Sequence, residues 1–199
     1  MGDYTAIADV GQTLVELLRS GMSDLITPAS IVLCSPADIG ASDNPRLSLF
    51  LYQVTENRYL KNQEMTVVDP VTAQYPPLML DLYYMLTAYG SSQITDKTDR
   101  TLEEHKILGL AMRVLYDNAV LKGSVLKGGL AGTDDELRIS TQPVSFEELV
   151  RPWGSFQDKS YKLSACYLVS PVIIDSSRRT DVRRTFEKDL NYQFTKKAI

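Results

Sequence analysis

The chain has 199 residues, of which 44% are hydrophobic and 23% charged, which is typical of one folded domain and excludes a disordered chain. The formal net charge of −4 excludes a positive field over the whole protein, the usual means of attracting nucleic acid. No apolar run reaches the ~18 residues of a membrane-spanning helix, and the N-terminus lacks a secretory signal pattern, so we expect a protein made in the cytoplasm without membrane insertion.

The N-terminal part of the chain predicts a helix followed by a short strand. Apolar residues recur at helical spacing over residues 3–20, with charged residues on the other faces, and Gly21 is a typical helix end. Residues 31–34 predict a strand that ends before Pro36. The segment that follows predicts a loop as far as Pro45.

Two strands with apolar residues on both faces are predicted in the middle of the chain. Residues 47–54 carry leucines on one face and aromatic residues and valine on the other, and residues 78–86 show a similar alternation. Because both faces are apolar, we expect these strands to lie inside a sheet covered on both sides. The polar connection between them is expected to hold a short hairpin around Val67.

The C-terminal half predicts two capped helices and two further strands. The capping-box spacing of Ser or Thr followed three residues later by Glu occurs at 101–104 and at 145–148, and predicts two helix starts. Strands are predicted over 137–141 and 161–174. The glycine-rich segment 123–132 lacks the spacing of a phosphate-binding loop and predicts a surface loop.

Helices interspersed with strands predict an α+β or open α/β fold, with a single mixed β-sheet flanked by helices. We expect residues 1–175 to form the globular domain and residues 176–199 to form an extended C-terminal arm with seven basic and three acidic residues. The candidate partner-binding residues of this arm are Arg178, Arg179, Arg183, Arg184, Phe186, Tyr192 and Phe194.

The composition of the arm leaves two kinds of partner open. Basic residues with aromatic residues between them are typical of segments that bind single-stranded nucleic acid. The acidic residues interspersed among them instead favour a protein-binding arm, which orders on an acidic partner or adds a strand to the edge of a sheet.

The sequence lacks the residue patterns of the common catalytic and metal sites. The one histidine, His105, has no nucleophile motif with it. The two cysteines, Cys34 and Cys166, are far apart and have no second cysteine of a zinc-binding pair, so we expect two buried free thiols unless their strands are adjacent. Asp81 is an acid within an apolar strand, and it either faces a partner or accepts a buried hydrogen bond.

Several phrases follow one another in a recognisable order along the chain. They are Leu49-Phe50-Leu51-Tyr52 with Glu56-Asn57, Pro76-Pro77-Leu78 with Asp81-Leu82-Tyr83-Tyr84, Leu108-Gly109 with Leu115-Tyr116-Asp117, and Phe146-Glu147-Glu148-Leu149 with Trp153. In this order, over about residues 4–176, the sequence resembles the tail terminator, or cap, proteins of extracellular contractile injection systems, which are phage-tail-like particles.

The resemblance implies a structural protein without cofactor or enzymatic activity. It implies a hexameric ring on the last inner-tube and sheath layers, which ends polymerisation and anchors the sheath. The partners would be further copies, the inner-tube protein and the sheath protein, and the protein would pass from the cytoplasm into the assembled particle. Two alternatives stay open: a phage neck or adaptor component that contacts nucleic acid, and a small hydrolase that uses Asp81 or His105.

Overall fold

The computed structural model describes residues 2–40, 42–61, 63–156 and 159–181. These residues form three α-helices and nine β-strands, besides short 3-10 turns. In chain order they are α1 (Ala6–Gly21), β1 (Ile31–Leu33), β2 (Leu47–Glu56), β3 (Thr66–Asp69), β4 (Thr72–Gln74), β5 (Leu78–Ala88), α2 (Lys97–Asp117), β6 (Val120–Lys122), β7 (Glu136–Thr141), α3 (Phe146–Ser155), β8 (Ser164–Ile174) and β9 (Arg179–Asp181). No helix among them is long and apolar enough to cross a membrane.

The chain divides into two compact units. The described residues within Met1–Asn62 and Pro77–Asp175 form the first unit, and those within Gln63–Pro76 and Ser176–Ile199 form the second. The first unit holds a six-stranded sheet in the order β1-β2-β5-β8-β7-β6, in which only the β1–β2 pair is parallel. The second holds a three-stranded antiparallel sheet, β3-β4-β9. The α+β class with a mixed sheet is confirmed, and the second sheet adds β9 to the predicted hairpin, a pairing that the sequence pattern did not indicate.

One face of the large sheet carries the main hydrophobic core. Leu47 and Leu49 of β2 and the even-numbered residues of β5 from Leu80 onward are buried there with side chains of α1 and α2. Tyr84 is the largest of these side chains and is almost fully buried. Each fully buried leucine side chain contributes roughly 1.5–3 kcal/mol relative to an exposed one, so this face supplies most of the hydrophobic stabilisation of the unit.

The other face of the large sheet is partly covered by α3. Met85, Trp153 and Cys166 form a small cluster there, against which Phe50 and Tyr52 pack. The prediction that β2 has apolar cover on both faces is therefore confirmed for its first half. After a register shift between residues 51 and 53, the second half of the strand is largely exposed.

Helix α2 begins one turn earlier than the capping-box spacing predicts. The Asp96 carboxylate accepts a hydrogen bond from the Asp99 N–H at 2.9 Å and is the N-cap. Thr101 donates its hydroxyl to the Lys97 carbonyl, within the helix. The carboxylate of Glu104 instead accepts a hydrogen bond from the Gly90 N–H. The predicted start at Thr101 is therefore wrong, because a stronger cap precedes it.

The capping box predicted for α3 is confirmed. Ser145 Oγ accepts a hydrogen bond from the Glu148 N–H at 3.3 Å, and Glu148 Oε2 accepts one from the Ser145 N–H at 2.8 Å. Val144 and Leu149, which flank this cap, both pack against the cluster around Trp153. The start of α3 is thus fixed by hydrogen bonds and by apolar contacts together.

The glycine-rich segment is held against α1 by hydrogen bonds. Asp9 Oδ2 accepts a hydrogen bond from the Gly129 N–H at 3.1 Å, and Thr13 Oγ1 accepts one from the Lys127 N–H at 3.0 Å. Gly128 has φ +60°, and a Cβ at this position would lie 1.9 Å from Asp9 Oδ1. Here glycine is required by backbone conformation and by the close approach of the carboxylate.

Candidate assembly surfaces

The first residues of the predicted C-terminal arm form a strand of the small sheet. In the register of β9 against β4, Arg179 lies opposite Gln74 and Asp181 lies opposite Thr72. Beyond the ladder, the Tyr75 N–H donates to the Arg178 carbonyl at 3.0 Å. The arm thus begins as an ordered third strand.

Two of the predicted partner-binding residues, Arg178 and Arg179, lie in this strand region, and both are exposed. The guanidinium carbon of Arg178 lies 4.0 Å from the centroid of the Tyr75 ring, in a cation–π contact. The hydrogen bond that Asp69 accepts from the Val71 N–H lowers the pKa of this carboxyl, and the charge of Arg179 acts in the same direction. The other predicted residues lie outside the described part of the chain: Arg183, Arg184, Phe186, Tyr192 and Phe194.

Strand β3 gives the small sheet an exposed apolar edge. All four residues of the strand are exposed, including Val67 and Val68, and Val71 in the adjoining turn is 61% exposed. Within the described residues, β3 pairs only with β4, so its outer edge is open to another strand. The sequence predicted this hairpin, but the period of the pattern could not reveal that its valines are exposed.

A second apolar surface lies on the first unit, at the C-terminal end of α2. A groove of about 580 Å³ is lined mainly by apolar atoms and includes Met112, Tyr116, Ile139 and Tyr167. Tyr116 is 82% exposed. Arg113 also lines this groove. Large exposed apolar groups in one patch are typical of a contact surface.

A third surface surrounds the start of α3. Phe146 is 71% exposed, and its ring meets the Tyr161 ring edge-on at 5.6 Å between centroids. Tyr161 in turn meets the buried Trp153 at 5.8 Å. No acceptor for the buried Trp153 Nε1 is found among the described residues. Next to it, an open cleft of about 620 Å³ is lined by residues that include Tyr52 and Arg151.

Asp81, for which two roles were left open, accepts hydrogen bonds within the fold. Its Oδ1 accepts from Asn57 Nδ2 at 2.8 Å and from the Ser170 hydroxyl. Asn57 Oδ1 accepts from the N–H groups of Tyr59 and Leu60, both at 3.0 Å. The carboxylate therefore helps to fix the turn that follows β2. Its hydrogen bonds account for an acid in an apolar strand.

The other residues considered as catalytic or metal-binding candidates lie on separate parts of the fold. His105 is exposed on α2. Cys34, directly after β1, and Cys166, on β8, are free thiols as predicted, and β2 and β5 lie between these two strands. Burial raises the pKa of both thiols. Cys34 is only half-buried. In the part of the chain that the structure describes, no group of three or more His, Cys, Asp or Glu side chains could hold a metal ion.

Two glutamates of α2 form a structural network with neighbouring strands and the preceding loop. Glu103 pairs with Arg46 at 2.6 Å, and Glu104 pairs with Lys162 at 2.7 Å. Burial raises the pKa of Glu104, but the hydrogen bonds from Lys162 and the Gly90 N–H outweigh it and hold the pKa below its usual value. These carboxylates remain ionised at neutral pH and serve as acceptors.

Comparison with known proteins identifies relatives of this fold. The chain is similar to the PVC sheath/tube terminator of an extracellular contractile injection system in its extended state, with 22% identity and a TM-score of 0.59. It is also similar to the tube-terminating cap of the anti-feeding prophage, with 17% identity and a TM-score of 0.62. The alignments cover 97% and 94% of this chain but only 67% and 61% of those chains. No curated protein sequence matches.

A family model shows the relationship to these terminators from the sequence itself. The model of the Pvc16 N-terminal domain matches residues 9–187, which is most of the chain. The two structures above share the fold over nearly the whole of this protein. The chain therefore belongs to the Pvc16 N-terminal domain family, and the terminator family predicted from its sequence is confirmed.

Proposed function

We propose that this protein is the structural terminator of a contractile injection particle. It forms a ring of six copies on the last layers of the inner tube and sheath, ends their polymerisation, and remains in the particle without enzymatic activity. The observation that carries the proposal is the family match over residues 9–187. Fold similarity to two terminators, one of a sheath and tube and one of a tube, supports it.

The mechanism is physical. A growing tube or sheath exposes on its last layer the interface that would receive the next subunit. A terminator matches that interface on one side and offers no copy of it on the other. A closed ring repeats one head-to-tail contact between copies, and several simultaneous contacts with the layer below make a modest affinity per subunit into firm attachment.

The small sheet and the arm are proposed to contact the sheath. The open edge of β3, with its exposed valines, suits the addition of a strand from another protein. The arm, residues 176–199, contributes β9 and continues beyond the described residues. The residues proposed to bind there are Arg178, Arg179, Arg183, Arg184, Phe186, Tyr192 and Phe194.

Electron microscopy of particles from a strain that lacks only this gene tests the main proposal. We expect tubes of uncontrolled length, ragged ends or detached sheaths, and restoration of regular ends when the gene is returned. Particles with normal length and intact ends in the deletion strain would overturn the terminator function.

Two truncations test the arm separately. One ends at Asp175 and removes β9, and the other ends at Asp181 and keeps it. If residues 182–199 bind the sheath, both variants lose sheath attachment while the tube remains capped. If only the shorter variant loses attachment, β9 and the small sheet carry the contact. Attachment equal to wild type in both would overturn the role of the arm and leave the ring proposal standing.

The nucleic-acid alternative has its own test. An adaptor role predicts DNA binding that weakens steeply with salt and disappears with the arm. A terminator predicts no such binding by the full chain at physiological salt. Electrophoretic mobility shift with the full chain and the Asp175 truncation, which removes the whole arm, distinguishes the two functions.

A further inference from the structure

We propose that the aromatic surface at the start of α3 in one copy binds the apolar groove at the end of α2 in the next copy. This contact would be the repeated interface of the ring, so the inference rests on the proposed function and specifies the residues that close the ring. Its central pair is Phe146 of one copy and Met112 with Tyr116 of the other.

The groove is open and unusually apolar for a helix surface. Met112 and Tyr116 are one helical turn apart, lie side by side on α2, and are both exposed. Ile139 and Tyr167, from β7 and β8, form the floor between helix and sheet. The volume of about 580 Å³ is large enough to receive an aromatic side chain with its neighbours.

The opposing surface presents a fixed aromatic side chain. Phe146 is the first residue of α3 and directly follows Ser145, the N-cap of the capping box that sets the start of the helix. Its ring rests edge-on against Tyr161, which is itself supported by the buried Trp153. An aromatic side chain held in place before binding loses little conformational freedom, which is typical of residues that dominate the energy of an interface.

The two surfaces lie on opposite faces of the large sheet. Ile139 and Tyr167 belong to the core face covered by α1 and α2. Trp153, behind Phe146, belongs to the cluster on the other face. A contact between two different surfaces on opposite faces is head-to-tail, and repeated rotation of such a contact produces a ring or a helix of copies rather than a two-fold dimer.

Charges at the rims are complementary. Arg113 is exposed beside the groove, and no described residue forms an ion pair with it. Glu147 follows Phe146, and its 81% exposed side chain forms an ion pair with Arg151 of the same helix, at 3.2 Å. Docking of Phe146 into the groove would bring an acidic rim to a basic one, which favours this pairing and its register.

The first experiment uses particles purified from strains that carry cysteine variants. Arg113→Cys and Glu147→Cys, which lie at the rims and leave the central apolar contact intact, are combined in a Cys34→Ser background and treated with a short bismaleimide. We expect a ladder of cross-linked species that ends at the closed ring, and only uncross-linked protein from either single variant. Cross-linking of a single variant with itself would show a two-fold contact and overturn the inference.

The second experiment exchanges the charges. Arg113→Glu and Glu147→Arg should each reduce the amount of this protein retained on particles in low salt by at least about tenfold, because like charges then face each other. The double variant should restore retention to within about threefold of wild type. Leu102→Ser, at an exposed leucine in the first half of α2, is the control and should change nothing.

The outcomes separate this inference from the proposed function. Particles with normal ends and no bound copies of this protein would overturn the terminator function itself. A ring that is present in all variants, with no ladder and no effect of charge reversal, would overturn the interface alone. Circular dichroism of each purified variant confirms that loss of retention is not loss of folding.

Discussion

Asn57 and Asp81 are joined across the β2–β5 region by a hydrogen bond of 2.8 Å, in which the Asn57 amide donates to the Asp81 carboxylate. The oxygen of the same amide accepts two backbone N–H groups of the turn that follows β2. The Asn57 side chain therefore donates to a carboxylate in an apolar strand, as the Ser170 hydroxyl also does, and accepts from two backbone N–H groups at the turn after β2.

We predict that Asn57→Ala lowers the free energy of unfolding by about 2–3 kcal/mol, because it removes one of the two hydrogen bonds to the half-buried Asp81 carboxylate and the acceptor of two backbone N–H groups. Urea denaturation measures the change. Gln12→Ala, which removes an exposed helix hydrogen bond, is the control and should stay within about 0.5 kcal/mol of wild type. An equal effect of the two substitutions would contradict a structural role for Asn57.

Gly128→Ala is expected to destabilise the protein by more than ~2 kcal/mol. The added Cβ would meet the Asp9 carboxylate at 1.9 Å, and the residue has a positive φ. Gly132 is the matched control, since it has φ +74° and no atom within 4 Å of an added Cβ. Gly132→Ala should therefore show only the conformational penalty of about 1 kcal/mol. Thermal unfolding of both variants distinguishes steric contact from backbone conformation.

The start of α2 can be tested with two alanine substitutions. Asp96→Ala should lower the free energy of unfolding by about 1 kcal/mol, the usual effect of removing an N-cap. Thr101→Ala should have an effect near zero, because its hydroxyl only bonds the Lys97 carbonyl inside the helix. The reverse order of the two effects would place the helix start at Thr101 after all.

The pH dependence of stability follows from Glu104. Its folded-state pKa lies below the ordinary value of 4.5, so its contribution is fully present above that value. The contribution is lost as the pH falls further, through the lower folded-state pKa. Glu104→Gln should flatten the stability curve below about pH 4.5 while lowering stability at neutral pH. An unchanged slope in acid would rule out this glutamate as a contributor.

The sequence correctly predicted the elements in which buried and exposed residues alternate regularly along the chain. The leucine face of β2 and the helical spacing of α1 appear in the structure nearly as expected, because burial repeats with the period of the backbone. The start of α2 was missed because Asp96 and Thr101 both have cap-forming side chains. Tertiary contacts decided between them: Glu104 is used by Gly90 and Lys162.

The short strands and the candidate assembly surfaces could not be predicted from local sequence patterns. β6 has three residues and exists through its pairing with β7, from Val120 opposite Arg138 to Lys122 opposite Glu136. β9 likewise depends on a partner about a hundred residues earlier in the chain. The capping-box spacing at residues 145–148 correctly indicated a capped helix, but the sequence does not show whether the aromatic ring of Phe146 is exposed or buried.

The pairing of β9 with the β3–β4 hairpin makes the stability of the small sheet depend on the start of the arm. Two strands alone are marginally stable in water, so the hairpin and the start of the arm should open and close as one cooperative segment. Hydrogen exchange would then show residues 66–74 and 179–181 losing protection together, at a lower free energy than the large sheet. Local unfolding of this kind would let the edge strand exchange partners without loss of the main fold.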